Sequence, residues 1–369
     1  MAVRPPVGPT VGVEEEFFLV AATADRLTER NDRVAVGARR RGAEVHRELK
    51  RSQVELSTPV CRSASEVRAH LVAGRRALAA AARDEDAALL PSGVPPIPHA
   101  VPDVTDLPRY RTMTARYGEF VRENNICGCH VHVGIEDRDT ALQVSNHLRP
   151  WLPTLLALTA NSPIHQGRDT GFASWRAMMA CRWPCSGPPP WFESVEHYDT
   201  VVATMIECGS ILDVGMVYWD VRLSAHLPTV EVRVSDVPAT VDETVLLATL
   251  VRALVATAVQ DVEAGRPAPP VGSEMLRAAY LCAAQDGPAG RAVDPLTCRV
   301  VDGQERIRAL LRHVAPRLEA FGEYTCAERL LVRVLRRGNG AVFQRRAFGQ
   351  RDDPSDIVRD LARRAVPEI

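Results

Sequence analysis

The chain has 369 residues, 46% of them apolar, with 45 basic against 46 acidic side chains, so it can bury a substantial core and carries a net charge near zero. That balance leaves no electrostatic footprint for nucleic acid or an anionic membrane, no apolar run reaches the roughly 18 residues of a membrane span, and the start MAVRPPVGPT lacks a hydrophobic leader core; a cytoplasmic protein is the expectation. Nine scattered cysteines, an odd number, read as reduced thiols, and a lone lysine, Lys50, with no Gly-Lys-Ser/Thr loop leaves any phosphate clamp to arginine.

In chain order, a strand is expected over about 11–20, then a polar turn region and a second strand around SQVELST. Ser63 and Glu66 have capping-box spacing at the head of an alanine-rich helix that is expected to end before Pro91. After a proline-rich stretch and a short helix around RYRTMTARYGEFV comes a strand, CHVHVGI. Two helices broken at Pro150 follow, with Pro153 suited to the first turn of the second. The segment HQGRDTGFASWRAMMACRWPCSGPPPWF reads as a long functional loop with a helical portion. A helix near 193–208 leads to two strands, ILDVGMVYWDVRLS and PTVEVRVSD. From 241 the pattern is helical, at 241–264, 302–313, 318–335 and 354–365. Strands cluster in the sheet-rich part, about 10–240, without a βαβ rhythm, so the fold class is α+β with a mainly antiparallel sheet backed by helices.

Three strands carry chemical side chains two residues apart: Glu14 and Glu16, His130 and His132, Glu231 and Arg233. Spacing of two puts both members of a pair on one sheet face. Cys129, Val131 and Val133, and Val230, Val232 and Val234, fall on the opposite face. A sheet face of carboxylate, imidazole and guanidinium is costly to bury unless it is paired or holds a metal, so it points to cations and an anionic ligand.

Each feature has a plainer reading. Glu14, Glu15 and Glu16 could be solvated acids on an edge strand. Their alternation, with Val11, Val13, Phe17 and Leu19 on the face of Glu15 and Gly12 beside Glu14, favours magnesium at Glu14 and Glu16 and an arginine partner for Glu15. Of Glu48 and Glu55, seven apart, Glu55 between Val54 and Leu56 is the stronger candidate. The His130/His132 pair admits a zinc hydrolase or hydrogen-bonded core histidines. Cys127, Cys129, Cys181 and Cys185 lack the usual zinc spacing and read as buried small hydrophobes. Arg168, Arg176, Arg182, Arg222 and Arg233 could supply planar forks for carboxylate or phosphate.

In register, GVEEEF, ELKRSQVELSTPVC, RYRTM, CGCHVHVGI, LRPWLPTLLALTANSPIHQGRDTGFASWR and YWDVRLSAHLPTVEVRVSD resemble glutamate–cysteine ligase family 2, the bacterial carboxylate–amine ligases, and GNGAVFQRRAF resembles that family's C-terminal Gln-Arg element. The resemblance implies one catalytic domain over 1–369, built on a glutamine-synthetase-like curved antiparallel sheet with helices on its outer face. It implies magnesium at Glu14, Glu16, Glu55, His132, Glu231 and, less closely matched, Glu48; catalytic roles for Arg233 and Arg176; and substrate or ATP contacts for Arg222, Arg168, His130 and Tyr218. The implied reaction joins the γ-carboxyl of glutamate to an amine, cysteine in the family, through an acyl phosphate made from ATP; a homodimer is the candidate assembly. Residues 166–187 are the candidate lid. One segment departs from the pattern: where the family has Asn-x-Trp-x-Ala-x-Arg, Glu274, Leu276 and Tyr280 stand in for Asn, Trp and Arg. That departure bears on the acceptor amine, and leaves a ligase of specialised metabolism, a metal hydrolase and a non-catalytic nucleotide-binding relative as the competing readings.

Overall fold

The computed structural model describes residues 8–366; the MAVRPPV start, on which the leader reading rests, lies outside them. In chain order the elements are β1 (Val11–Ala21), α1 (Asn31–Arg39), β2 (Glu44–Arg47), β3 (Gln53–Ser57), α2 (Ala64–Asp84), β4 (Ala87–Leu90), α3 (Pro108–Tyr117), α4 (Glu119–Glu123) and β5 (Gly128–Gly134). Next come α5 (Arg138–Leu148), α6 (Leu152–Thr159), the short hairpin β6 (Ile164–His165) and β7 (Arg168–Asp169), α7 (Trp175–Ala180), α8 (Val195–Glu207), β8 (Val221–Leu223) and β9 (Thr229–Asp236). The remainder is α9 (Val241–Glu263), α10 (Ser273–Asp286), the hairpin β10 (Arg291–Asp294) and β11 (Arg299–Asp302), α11 (Gly303–Ala320), α12 (Tyr324–Arg337), α13 (Gly340–Phe348) and α14 (Pro354–Ala365).

Seven strands make one open antiparallel sheet in the order β2-β3-β1-β5-β9-β8, with β4 paired to the last four residues of β1. The α+β reading holds. Strand alternation sorts the side chains by face. Val13 lies opposite Val131, Val131 opposite Val232, and Val232 opposite Val221, and all four are buried in the main core. Helices α2, α5, α6 and α9 pack on the strands from that side. Each fully buried valine or leucine there is worth roughly 1.5–3 kcal/mol, so the pattern of β1, β5 and β9 fixes which face points inward.

Helix α9 begins with a capping box: Glu243 N–H donates to Thr240 Oγ1 (3.3 Å) and Thr240 N–H to Glu243 Oε2 (2.9 Å). By length and composition it could cross a membrane, but Arg252 interrupts its apolar run, donating to Pro9 O (2.8 Å) and Glu323 (3.2 Å), and 67% of its most apolar window is buried inside the protein. It is the central core helix, touching β1, β5, α2, α5, α11 and α12.

Glu15 finds its arginine. Its carboxylate and the Arg75 guanidinium of α2 are both fully buried, joined at 2.8 Å (Nε–Oε2) and 2.5 Å (Nη2–Oε1). Thr244 Oγ1 of α9 donates to Glu15 (2.6 Å), and Arg75 also reaches Pro238 O and Ala365 O, each at 3.1 Å. One ion pair thus ties β1 to α2, α9 and the end of α14.

Several expected elements take different form. The alanine-rich helix stops at Asp84; Asp86, in left-handed conformation (φ 51°), turns the chain, and Ala87–Leu90 becomes β4 against Phe18–Ala21. Helix propensity yields there to burial in the sheet. The polar turn region contains α1 and β2, and ILDVGMVYWDVRLS supplies only the three-residue β8. Helix α11 runs through Pro316 to Ala320, and the break falls at Gly322, whose φ is 70°. Elements α10, α13 and the β10–β11 hairpin lie outside the expected helical spans. Ser63 caps α2 as expected, accepting from Glu66 N–H at 3.2 Å.

Breaking the buried pair tests this arrangement. Arg75→Met leaves the Glu15 charge uncompensated and should cost about 3–5 kcal/mol, read as a lowered urea midpoint. An unchanged midpoint would show that Glu15 does not anchor the sheet.

Candidate active site

On the face away from the helices the ladder registers bring the chemical side chains into rows. Glu14 on β1 pairs with His130 on β5, His132 with Glu231 on β9, Glu231 with Arg222 on β8, and Glu16 with Glu55 on β3. A shift in register between Cys129 and Val131 lets β5 follow β9 past His130. Gly12 faces His132, and a side-chain carbon added at Gly12 would meet nothing nearer than the His132 Cβ at 4.0 Å, so the floor stays open above it. These residues line a cleft of about 710 Å³ closed by Arg109 and Tyr110 of α3, by Trp183, and by the 215–227 segment. A cavity of similar size, about 770 Å³, lies between the end of β1 and α13–α14, but its lining is apolar and arginine-rich and has none of this set.

Two acidic groups sit on the floor. In one, donor atoms of Glu14, His130 and Glu231 lie within 4.8 Å of one another; in the other, those of Glu16, Glu48 and Glu55 do. Burial opposes the Glu14 charge, yet the hydrogen bond from His130 (3.2 Å) and the close approach of His132 (3.5 Å) hold its carboxyl well below the usual range. Burial likewise opposes Glu231, and Arg233 and Arg222 override it; Arg222 Nε donates at 2.8 Å and Arg233 is in direct contact. The second group has no such compensation. Burial, then the Glu16 charge, pushes Glu48 up to about 7, and burial with Glu48, Glu14 and Glu16 nearby pushes Glu55 well up.

His132 Nδ1 is held by Thr229 Oγ1 at 3.0 Å, while its Nε2, buried and without a hydrogen-bond partner, points between Glu14 (3.5 Å) and Glu231 (3.9 Å). An orphaned imidazole nitrogen among carboxylates, next to three acids whose oxygens lie within 4.8 Å of one another, fits a hard divalent cation on the Glu14–His132–Glu231 side and another on the Glu16–Glu48–Glu55 side. The cysteines do not join: Cys129 belongs to the core face, and Cys127 Sγ lies 3.3 Å from Gln53 Nε2.

The arginines divide. Arg233 and Arg222 share Glu231, and Arg233 Nη1 also sits 3.3 Å from His130 Nδ1. Arg176 lies across Gly128, where a Cβ would fall 2.5 Å from its Nη2, and donates to the carbonyls of Arg233 (3.2 Å) and Val234 (3.4 Å); its Nε has no partner. Tyr218 lines the cleft edge-on to Trp183, with rings 5.7 Å apart, its hydroxyl pushed up to about 12 by burial. Arg168 stands apart: it is exposed on β7, outside the cleft, in a hairpin packed on Pro95 and Pro96. Arg182 is also outside, paired with Glu123. Of the candidate lid, only the stretch from Arg176 to Ser186 reaches the cleft. The Gln-Arg element is structural: Gln344 Nε2 clamps Asn161 O (2.7 Å) and Ser92 Oγ (3.0 Å), and Arg345 pairs with Asp169. Arg109, Tyr110, Trp183 and Asp220 line the cleft without having been singled out from the sequence; the RYRTM and YWDVRLS strings that hold three of them were the available signal.

The profile of glutamate–cysteine ligase family 2 matches residues 10–359. The chain belongs to that family. A relative from Nocardia farcinica, named "Putative glutamate--cysteine ligase 2-1", is 49% identical over 96% of this chain and 92% of its own length. A relative from Mycolicibacterium smegmatis of the same kind of name is 47% identical over 98% and 99%. Among solved structures, a glutamate–cysteine ligase from Francisella tularensis in complex with AMP superposes with a TM-score of 0.69 at 14% identity, over 98% of this chain and 89% of that one. A bifunctional glutathione synthetase from Pasteurella multocida gives 0.70 at 16% identity; this chain, 97% covered, spans about half (52%) of its length. These last two likenesses establish the fold. Family membership makes the chain an ATP-dependent ligase that forms a carbon–nitrogen bond.

The acidic group at Glu48 predicts a pH signature. A carboxyl whose folded pKa is raised favours folding below its unfolded value near 4.5 and loses that contribution as pH rises through about 7. Without divalent cation, Glu48→Gln should therefore gain melting temperature relative to the native protein as pH goes from 5 to 8. A constant difference across that range would contradict the arrangement.

Proposed function

We propose that the chain joins a carboxylate to an amine in two stages on the open face of the sheet. The γ-carboxylate of glutamate attacks the γ-phosphorus of ATP, giving an acyl phosphate and ADP; the acceptor amine then adds to the acyl carbon, phosphate leaves with the C–O bond electrons, and the amine loses a proton. The observation that carries this reading is the shared carboxylate Glu231, which holds Arg222 and Arg233 on one side while facing His132 and Glu14 on the other. Forks for anions and ligands for cations are thereby placed side by side, as the meeting of two anions requires.

Magnesium held by Glu14, His132 and Glu231 and by Glu16, Glu48 and Glu55 would supply positive charge to phosphate oxygens. The residues of the chain do the rest. Arg233 and Arg222, held planar by Glu231, present donors to the phosphoryl group, and Arg176, with its Nε free, adds a third guanidinium at the same end. His130, buried between Glu14 and Arg233, has its pKa lowered by burial and by Arg233, so at neutral pH it positions Glu14 as a neutral ring. Trp183, Tyr218 and Tyr110 wall the cleft with aromatic surface that keeps water from an acyl phosphate. Cysteine is the acceptor that the relatives' names suggest, and the departure at Glu274, Leu276 and Tyr280 makes another amino acid or amine the alternative.

Phosphate release from ATP with glutamate and magnesium, screened over cysteine, other amino acids and simple amines with products read by mass, tests the reading. Acceptor-dependent phosphate and a condensed amide are expected. Phosphate release indifferent to any amine would overturn it. Glu231→Gln should abolish turnover with the melting transition retained, and Arg233→Lys, which loses the planar fork, should lower kcat by roughly 10²-fold or more.

A further inference from the structure

Most charged groups in the cleft are spoken for. Glu231 is shared by two arginines, Glu14 by two histidines, and Glu16 accepts from Gly128 N–H at 2.6 Å. Asp220 is the exception. Its carboxylate lines the cleft, belongs to neither acidic group, and among the described residues makes no ion pair; the hydroxyl that reaches it is that of Tyr280. The nearby guanidiniums are engaged elsewhere, Arg176 on the carbonyls of Arg233 and Val234, and Arg233 on Glu231.

Asp220 is nonetheless held firmly. Its N–H donates to Gly187 O at 2.8 Å and its carbonyl accepts from Arg233 N–H at 2.7 Å, so the backbone is stitched between the end of the 166–187 segment and β9. Behind it stands Tyr280 of α10, 5% exposed, its hydroxyl turned to the Asp220 carboxylate. Tyr280 gives Asp220 a neighbour that brings a hydroxyl and no charge. A fixed carboxylate in a half-buried cleft, with a neutral donor behind it and the neighbouring guanidiniums of Arg176 and Arg233 donating elsewhere, can accept a cationic ligand from the cleft side. It lacks the second and third oxygen donors that a metal would require.

We infer that Asp220, oriented by Tyr280, is the subsite for the ammonium group of an amino-acid substrate. The inference rests on the ligase reading for the identity of its ligands and deepens it. Two substrates bring such a group, the donor through its α-ammonium and the acceptor through the amine that becomes the amide. Either source is one positive charge with three N–H donors, which matches a carboxylate that gives Tyr280 one acceptor site and keeps others toward the cleft. The arginines and the acidic groups then take the phosphoryl end, and Asp220 fixes the other end of an amino acid lying in the cleft.

The test uses the full chain and its Asp220→Asn and Tyr280→Phe variants, with calorimetric titration of glutamate and of cysteine in the presence of ATP and magnesium, alongside steady-state phosphate release. Asp220→Asn should weaken one of the two amino acids at least tenfold while leaving the KM for ATP within about twofold, because it removes the countercharge and preserves the shape. Weakening confined to glutamate assigns the donor's α-ammonium; weakening confined to cysteine assigns the acceptor. Tyr280→Phe, which keeps the carboxylate, should give a smaller change, two- to fivefold, in the same substrate. Unaltered affinity for both amino acids in Asp220→Asn, or a loss of kcat with both KM values unchanged, overturns the subsite. The two readings part cleanly. Phosphate released with unaltered constants in the variant removes the subsite and keeps the ligase; amino-acid binding lost in the variant, with no phosphate from the native protein, keeps the subsite and removes the ligase.

Discussion

The two-residue alternation of β1 is the constraint on which the rest of the molecule depends, and the Glu15–Arg75 pair locks it. Glu15 points into the helices and is neutralised there; Glu14 and Glu16, its neighbours, can then only point into the cleft. A one-residue slip would drive two carboxylates into the valine face and expose Val11, Val13 and Phe17. An apolar residue at position 15 would pack as well or better. What the ion pair adds is direction: a lone buried carboxylate has one acceptable partner, and that partner is on α2 and also donates to Ala365 O at the end of α14.

With that register set, the floor of the cleft contains more negative charge than it can hold alone. The side toward β9 is balanced, because β8 and β9 contribute Arg222 and Arg233 and β5 contributes two imidazoles. The side toward β3 is not. Burial and neighbouring carboxylates push Glu48 up to about 7 and Glu55 well up, whereas histidine and arginine neighbours hold Glu14 and Glu231 well below the usual range. The asymmetry follows from which strands bear arginine.

Much of this was legible from spacing. The three pairs of residues two apart, two of them with an apolar residue between, specify a sheet and a face, and all six side chains sit together. Glu15 and its arginine were legible for the same reason, although which arginine was not, since Arg75 is remote in sequence and one of forty-four. The loop arginines were a poorer guide. Arg168 and Arg176 lie eight residues apart in one irregular segment, and only packing against Pro95, Pro96 and Gly128 decides that one faces outward and the other crosses the sheet. The strand Ala87–Leu90 was hidden because four small apolar residues read equally well as the tail of an alanine-rich helix; pairing with β1, a tertiary fact, decides it.

The helical last third is woven into the cleft rather than appended to it. Helix α10 brings Tyr280 behind Asp220, and α13 sends Gln344 to Asn161, whose own N–H is bound by Asp236 at the end of β9. Asp236 also accepts from Ser162 and Ser174, at 2.7 and 2.8 Å, and Ser162 Oγ in turn accepts from Arg176 N–H at 3.0 Å. A continuous run of buried hydrogen bonds therefore leads from α13 through the end of the sheet to the start of α7, the helix that carries Arg176. Buried polar groups of this kind are costly when left half-satisfied and rigid when complete. The position of Arg176 over Gly128 is thus set by residues more than 160 positions apart in the chain, which explains why the arginine that crosses the sheet could be named from the sequence but its hold could not.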